Sequence, residues 1–122
     1  MQSASKPVFN CSEENFQIGK YEFLISFAND LTEVLDHYVK VSPSDEDSIP
    51  YYSCVWDSAL ALAEYIVANE KLFVGNKVLE LGCGLGLPSL CAARCKANVL
   101  ATDYHPDNKE FFLKNVELNK LH

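Results

Sequence analysis

The chain has 122 residues, enough for one domain around a single hydrophobic core and too few for two. A hydrophobic fraction of 48% against 22% charged residues fits a folded soluble chain and excludes a disordered one. The net charge of −7 sits almost entirely in residues 1–74, which carry 4 basic and 12 acidic side chains, whereas residues 75–122 carry 6 and 5; neither part forms a basic stripe, which excludes broad electrostatic binding to nucleic acid.

Residues 1–20 are polar and without period, and are expected to form an N-terminal extension. From Tyr21, the alternation Tyr21, Phe23, Ile25, Phe27 predicts a strand with one buried face. Leu31, Val34, Leu35 and Tyr38 follow the i, i+3, i+4, i+7 stripe of a short amphipathic helix, with Asn29 or Asp30 available as its cap. The acidic, proline-flanked SPSDEDSIP (Ser42 to Pro50) reads as a loop. WDSALALAEYIVAN (Trp56 to Asn69) predicts a helix capped by Asp57 or Ser58; being apolar nearly all round, it is expected to be buried on more than one side. Gly75 and Asn76 make a turn into a strand at Lys77–Leu81, whose composition suits a parallel sheet covered on both faces. Pro88 suits the first turn of a helix ending near Cys95. A second strand, Asn98–Thr102, runs into Asp103, and Pro106 opens a last helix through Phe111, Phe112, Val116 and Leu118. The order from Lys77 is therefore strand, glycine loop, helix, parallel strand, helix: an α/β crossover unit.

The glycine loop reads ELGCGLG, with glycines at 82, 84 and 86. A dinucleotide-binding loop has the spacing G-x-G-x-x-G, but position 87 here is leucine, so a nicotinamide-dependent oxidoreductase is disfavoured. Asp103 ends the second strand 19 residues after Gly84, close to the ~20-residue offset at which an acid meets ribose hydroxyls in this topology.

The spacing E-L-G-x-G-x-G resembles motif I of class I S-adenosylmethionine (SAM)-dependent methyltransferases. IPYYSCVWDSALALAEYI (Ile49 to Ile66) is similar to the segment that precedes this motif in methyltransferase family 16, which includes protein-lysine methyltransferases and nicotinamide N-methyltransferase-like proteins. Pro50, Tyr51, Trp56, Ser58, Ala59 and Leu60 match, whereas Tyr52 and Asp57 replace a tryptophan and a proline. The resemblance implies a Rossmann-like class I methyltransferase fold over residues 21–122, with only its N-terminal part present. It implies SAM as cofactor and a protein lysine or small amine as methyl acceptor. The implied cofactor-binding residues are Trp56, Glu80, Gly82, Gly84, Gly86, Asp103 and Tyr104. By the same resemblance Glu80 would order the loop on the side of the ligand's cationic groups, Asp103 would bind the ribose, and Tyr104 would lie along the adenine by position. Trp56 is expected to be buried; Asn115 is expected on a helix surface and His105 in a solvated loop. No residue stands out as a catalytic base.

The remaining features are bland. No apolar run reaches the roughly 18–20 residues that span a bilayer, and the N-terminus has no apolar signal core, so a cytoplasmic protein without a membrane partner is expected. Cys11, Cys54, Cys83, Cys91 and Cys95 contain no CxxC pair and are expected as reduced, mostly buried thiols, with no metal site. A chain with two parallel strands and a bare sheet edge is expected to be a fragment or to pair with a partner chain or itself. The alternative to an enzyme is a non-catalytic methyltransferase-like module that binds such a partner.

Overall fold

The computed structural model describes residues 9–41 and 53–121, so the expected loop at Ser42–Pro50 and the matched Pro50 and Tyr51 lie outside the described residues. Two strands, β1 (Cys11–Ile18) and β2 (Tyr21–Ala28), form an antiparallel hairpin, followed by helix α1 (Leu31–Val41). Helices α2 (Asp57–Ala68) and α3 (Glu70–Phe73) precede the crossover unit β3 (Lys77–Leu81), α4 (Leu87–Arg94), β4 (Asn98–Thr102) and α5 (Asn108–Leu118). β3 and β4 pair in parallel, from Lys77 opposite Asn98 to Leu81 opposite Thr102.

The hairpin corrects the expectation of an aperiodic extension over its first strand. Ile18 and Tyr21 are joined by the two-residue loop Gly19-Lys20, with Gly19 at φ +56° as a tight hairpin turn requires. Phe16 and Ile18 alone carry the alternation in β1, too short a run to register as a strand. Asp30 caps α1 as expected: its Oδ1 accepts the N–H groups of Thr32 and Glu33. α2 starts as predicted, but its N-cap is Trp56 with no side-chain cap bond, so neither Asp57 nor Ser58 serves. α5 begins two residues later than predicted, because Pro106 and Asp107 form a turn before it.

One core joins the hairpin, α2 and α4. Ile18, Phe23 and Ile25 from the hairpin meet Ala63, Ile66 and Val67 of α2 and Leu87, Leu90, Cys91 and Cys95 from α4 and its end. α2 is buried on that face, whereas Leu62 and Tyr65 are exposed, against the expectation of burial on more than one side. The β3–β4 pair is likewise covered on one side. Val78 and Val99 pack on the core, while Leu79, Leu81 and Leu100 on the opposite face are 59%, 78% and 65% exposed. All five cysteines are free thiols; Cys83, Cys91 and Cys95 are buried and Cys11 is exposed.

Candidate functional site

The ends of β3 and β4 point into a cleft of about 370 Å³, within the range of roughly 300–1,000 Å³ usual for small-molecule sites. All seven residues singled out from the sequence, Trp56, Glu80, Gly82, Gly84, Gly86, Asp103 and Tyr104, line it. A strand ending at Leu81 must reverse into a helix starting at Leu87, and three left-handed glycines accomplish this: φ is +67° at Gly82, +54° at Gly84 and +97° at Gly86.

Hydrogen bonds fasten this loop to the end of β4. Cys83 N–H donates to Thr102 O at 2.8 Å, and the Thr102 hydroxyl donates to Glu80 O at 2.8 Å. Gly84 N–H donates to Asp103 Oδ2 at 2.9 Å, His105 N–H donates to Asp103 Oδ1 at 3.1 Å, and the Asn108 amide donates to Gly84 O. Each Asp103 oxygen is thus oriented by one backbone donor and retains capacity for a second. Glu80 accepts a bond from the Ser89 hydroxyl at the start of α4. Burial, opposed by that bond, raises its carboxyl above the ordinary value, with a smaller contribution from the Asp103 charge. Burial and the neighbouring Glu80 and Asp103 push the Cys83 thiol up to about 12, which keeps it protonated and removes it as a nucleophile.

Several positions differ from expectation. Trp56 is 49% exposed rather than buried, because it stands at the cleft rim as the N-cap of α2. His105 is buried and lines the cleft instead of sitting in a solvated loop. Its Nδ1 accepts the Asp107 N–H at 3.2 Å, while the Asp107 carboxylate accepts the Tyr38 hydroxyl at 2.6 Å, tying α1 to the turn after β4. Nothing in the local sequence announces this; only the fold brings Tyr38 to Asp107. Asn115, expected on a surface, is fully buried. The glycines also have separate reasons. A Cβ on Gly82 would meet nothing within 4 Å, whereas one on Gly86 would lie 2.6 Å from Phe112 Cδ2 of α5.

A parallel strand–glycine loop–helix–strand unit with an acid after the second strand defines a partial class I methyltransferase fold. The sequence model of the lysine methyltransferase family 16 matches residues 30–122, and the chain belongs to that family. Relatives agree. The electron transfer flavoprotein beta subunit lysine methyltransferase of Xenopus laevis is 37% identical over 73 residues, 59% of this chain and 30% of that protein. Methyltransferase-like protein 22 of Mus musculus is 46% identical over 65 residues, 53% of this chain and 16% of that protein. The histone-arginine methyltransferase METTL23 of Xenopus laevis is 35% identical over 94 residues, 75% of this chain and 38% of that protein. The matched part of the chain thus spans well under half the length of each of these relatives.

Proposed function

We propose that the cleft binds SAM and that this chain supplies the cofactor-binding part of a methyltransferase acting on a nitrogen of a protein side chain or a small amine. One observation carries the choice of cofactor: among the described residues lining the cleft there are two carboxylates, Glu80 and Asp103, and no lysine or arginine. Such a cleft suits a ligand with a sulfonium and an ammonium, and it offers a pyrophosphate no cationic side chain, while Leu87 stands where a dinucleotide loop has its third glycine. Asp103 would accept the ribose hydroxyls, and Glu80 would face the cationic end. The glycine loop would let the ligand approach the backbone, with Trp56 and Tyr104 presenting aromatic faces at the rim. Bound SAM would supply a methyl group activated on its sulfonium, which departs as a neutral thioether as the acceptor nitrogen takes the methyl, so the protein's part is alignment and exclusion of water. The names of the relatives support a protein acceptor, lysine in one and arginine in another.

The exposed Leu79, Leu81 and Leu100 favour a second reading, in which the chain acts through a partner polypeptide covering that face, with or without methyl transfer. Calorimetric titration of the 122-residue chain with SAM and, separately, NAD tests the first reading. Saturable 1:1 heat with SAM and none with NAD is expected; NAD binding without a SAM signal would sink it.

A further inference from the structure

We infer that Asn115 is a positioning residue of the glycine loop, coupling the N-terminal hairpin to the proposed SAM site; the affinity readout rests on that reading, the structural coupling does not. In the β1–β2 hairpin, Leu24 and Ser26 turn their backbone groups away from β1, towards α5. Two α5-side asparagines one helical turn apart satisfy that strand edge as a neighbouring strand would. Asn119 Oδ1 accepts Leu24 N–H at 2.8 Å, and its Nδ2 donates to Leu24 O at 2.8 Å. Asn115 Oδ1 accepts Ser26 N–H at 2.7 Å, and its Nδ2 donates to Ser26 O at 3.2 Å. Each amide makes a second bond, and the two differ in where it goes. Asn119 Nδ2 also donates to Asn115 O, at 2.7 Å, within the end of α5, whereas Asn115 Nδ2 also donates to Leu85 O, at 3.0 Å, inside the loop that lines the cleft.

Leu85 is flanked by Gly84, whose N–H holds Asp103, and by Gly86, whose N–H closes the loop on Cys83 O at 2.9 Å. A single buried amide therefore fixes hairpin and loop together, with both of its donors committed. Aspartate has the same shape but, ionised, offers no donor, and it would face the Ser26 and Leu85 carbonyls unfavourably. Asn119→Asp makes the equivalent change at the same strand edge without touching the loop. Asn119 is thus the control for a merely structural role.

The experiment compares Asn115→Asp with Asn119→Asp in the full chain by melting temperature, SAM affinity and amide hydrogen exchange. Both variants are expected to melt lower than the wild type. Only Asn115→Asp is expected to weaken SAM binding, by about fivefold or more, and to speed exchange of the Gly84 and Gly86 amides. Equal loss of affinity and equal loop exchange in the two variants would overturn the inference. If the wild type shows no SAM binding, the cofactor reading falls, and the loop-amide comparison still decides the coupling. Should Asn115→Asp fail to fold, the wild type serves. Added SAM is expected to slow exchange of the Ser26 amide along with that of Gly86, and a Ser26 amide indifferent to SAM while Gly86 responds would overturn the coupling.

Discussion

Burial at the base of the cleft raises the Glu80 carboxyl above its ordinary 4.5, and this has two consequences of opposite sign. A folded-state pKa above the unfolded one means that the folded chain holds the proton more tightly. Its contribution to stability is complete below the unfolded pKa and is lost as pH rises through the folded one. The wild type is therefore expected to gain stability relative to Glu80→Gln as pH falls from neutrality towards the carboxylate range, and parallel melting curves would contradict this. A cationic ligand favours the ionised carboxylate, so SAM affinity is expected to fall over the same acid limb and to lose that dependence in Glu80→Gln. Asp103 is different in kind. Two backbone N–H bonds orient it, so its role is directional acceptance of hydrogen bonds.

At the scale of elements, Gly86 shows how the loop and α5 are fitted to each other. A side chain there would need a left-handed backbone and would overlap the Phe112 ring, so Gly86→Ala is expected to cost about 2–4 kcal/mol in chemical denaturation. A loss below about 1 kcal/mol would mean that α5 shifts without cost. Much of this architecture was legible in the sequence. β3, β4 and α4 follow from short apolar runs punctuated by Gly75, the three loop glycines and Pro88, where local steric rules dominate. β1 was not legible, because it is held by pairing with β2, whose far edge Asn115 and Asn119 satisfy, rather than by its own alternation. Asn115 itself reads as an ordinary polar helix residue; its burial depends on β2, 89 residues away in the chain. Trp56 failed for a converse reason: an aromatic ring predicts burial from transfer energetics, but a helix N-cap at a cleft rim leaves half of it open.

At the scale of the whole molecule, among the described residues, the β3–β4 sheet has one packed face and one exposed face. α4 and the hairpin pack on the core side, whereas Leu79, Leu81 and Leu100 form an exposed apolar face, and Leu62 and Tyr65 of α2 are exposed as well. Exposed apolar surface on a short sheet drives association. Sedimentation is expected to show concentration-dependent association of the wild type, reduced in Leu81→Lys, and identical profiles for the two would remove the open face as an interaction surface. The cleft lies at the carboxyl ends of the same strands, so the cofactor binding proposed for it draws on residues that this chain itself supplies. The most direct test of that claim is calorimetric titration of SAM into the wild type and into Asp103→Ala, each first shown to be folded by a cooperative melt. Two charge-assisted bonds to the ribose at about 1.5–3 kcal/mol each predict a loss of about 100-fold or more in affinity, so 1:1 binding in the wild type should become undetectable or nearly so in the variant. Equal affinity in the two proteins would contradict the assignment of this cleft.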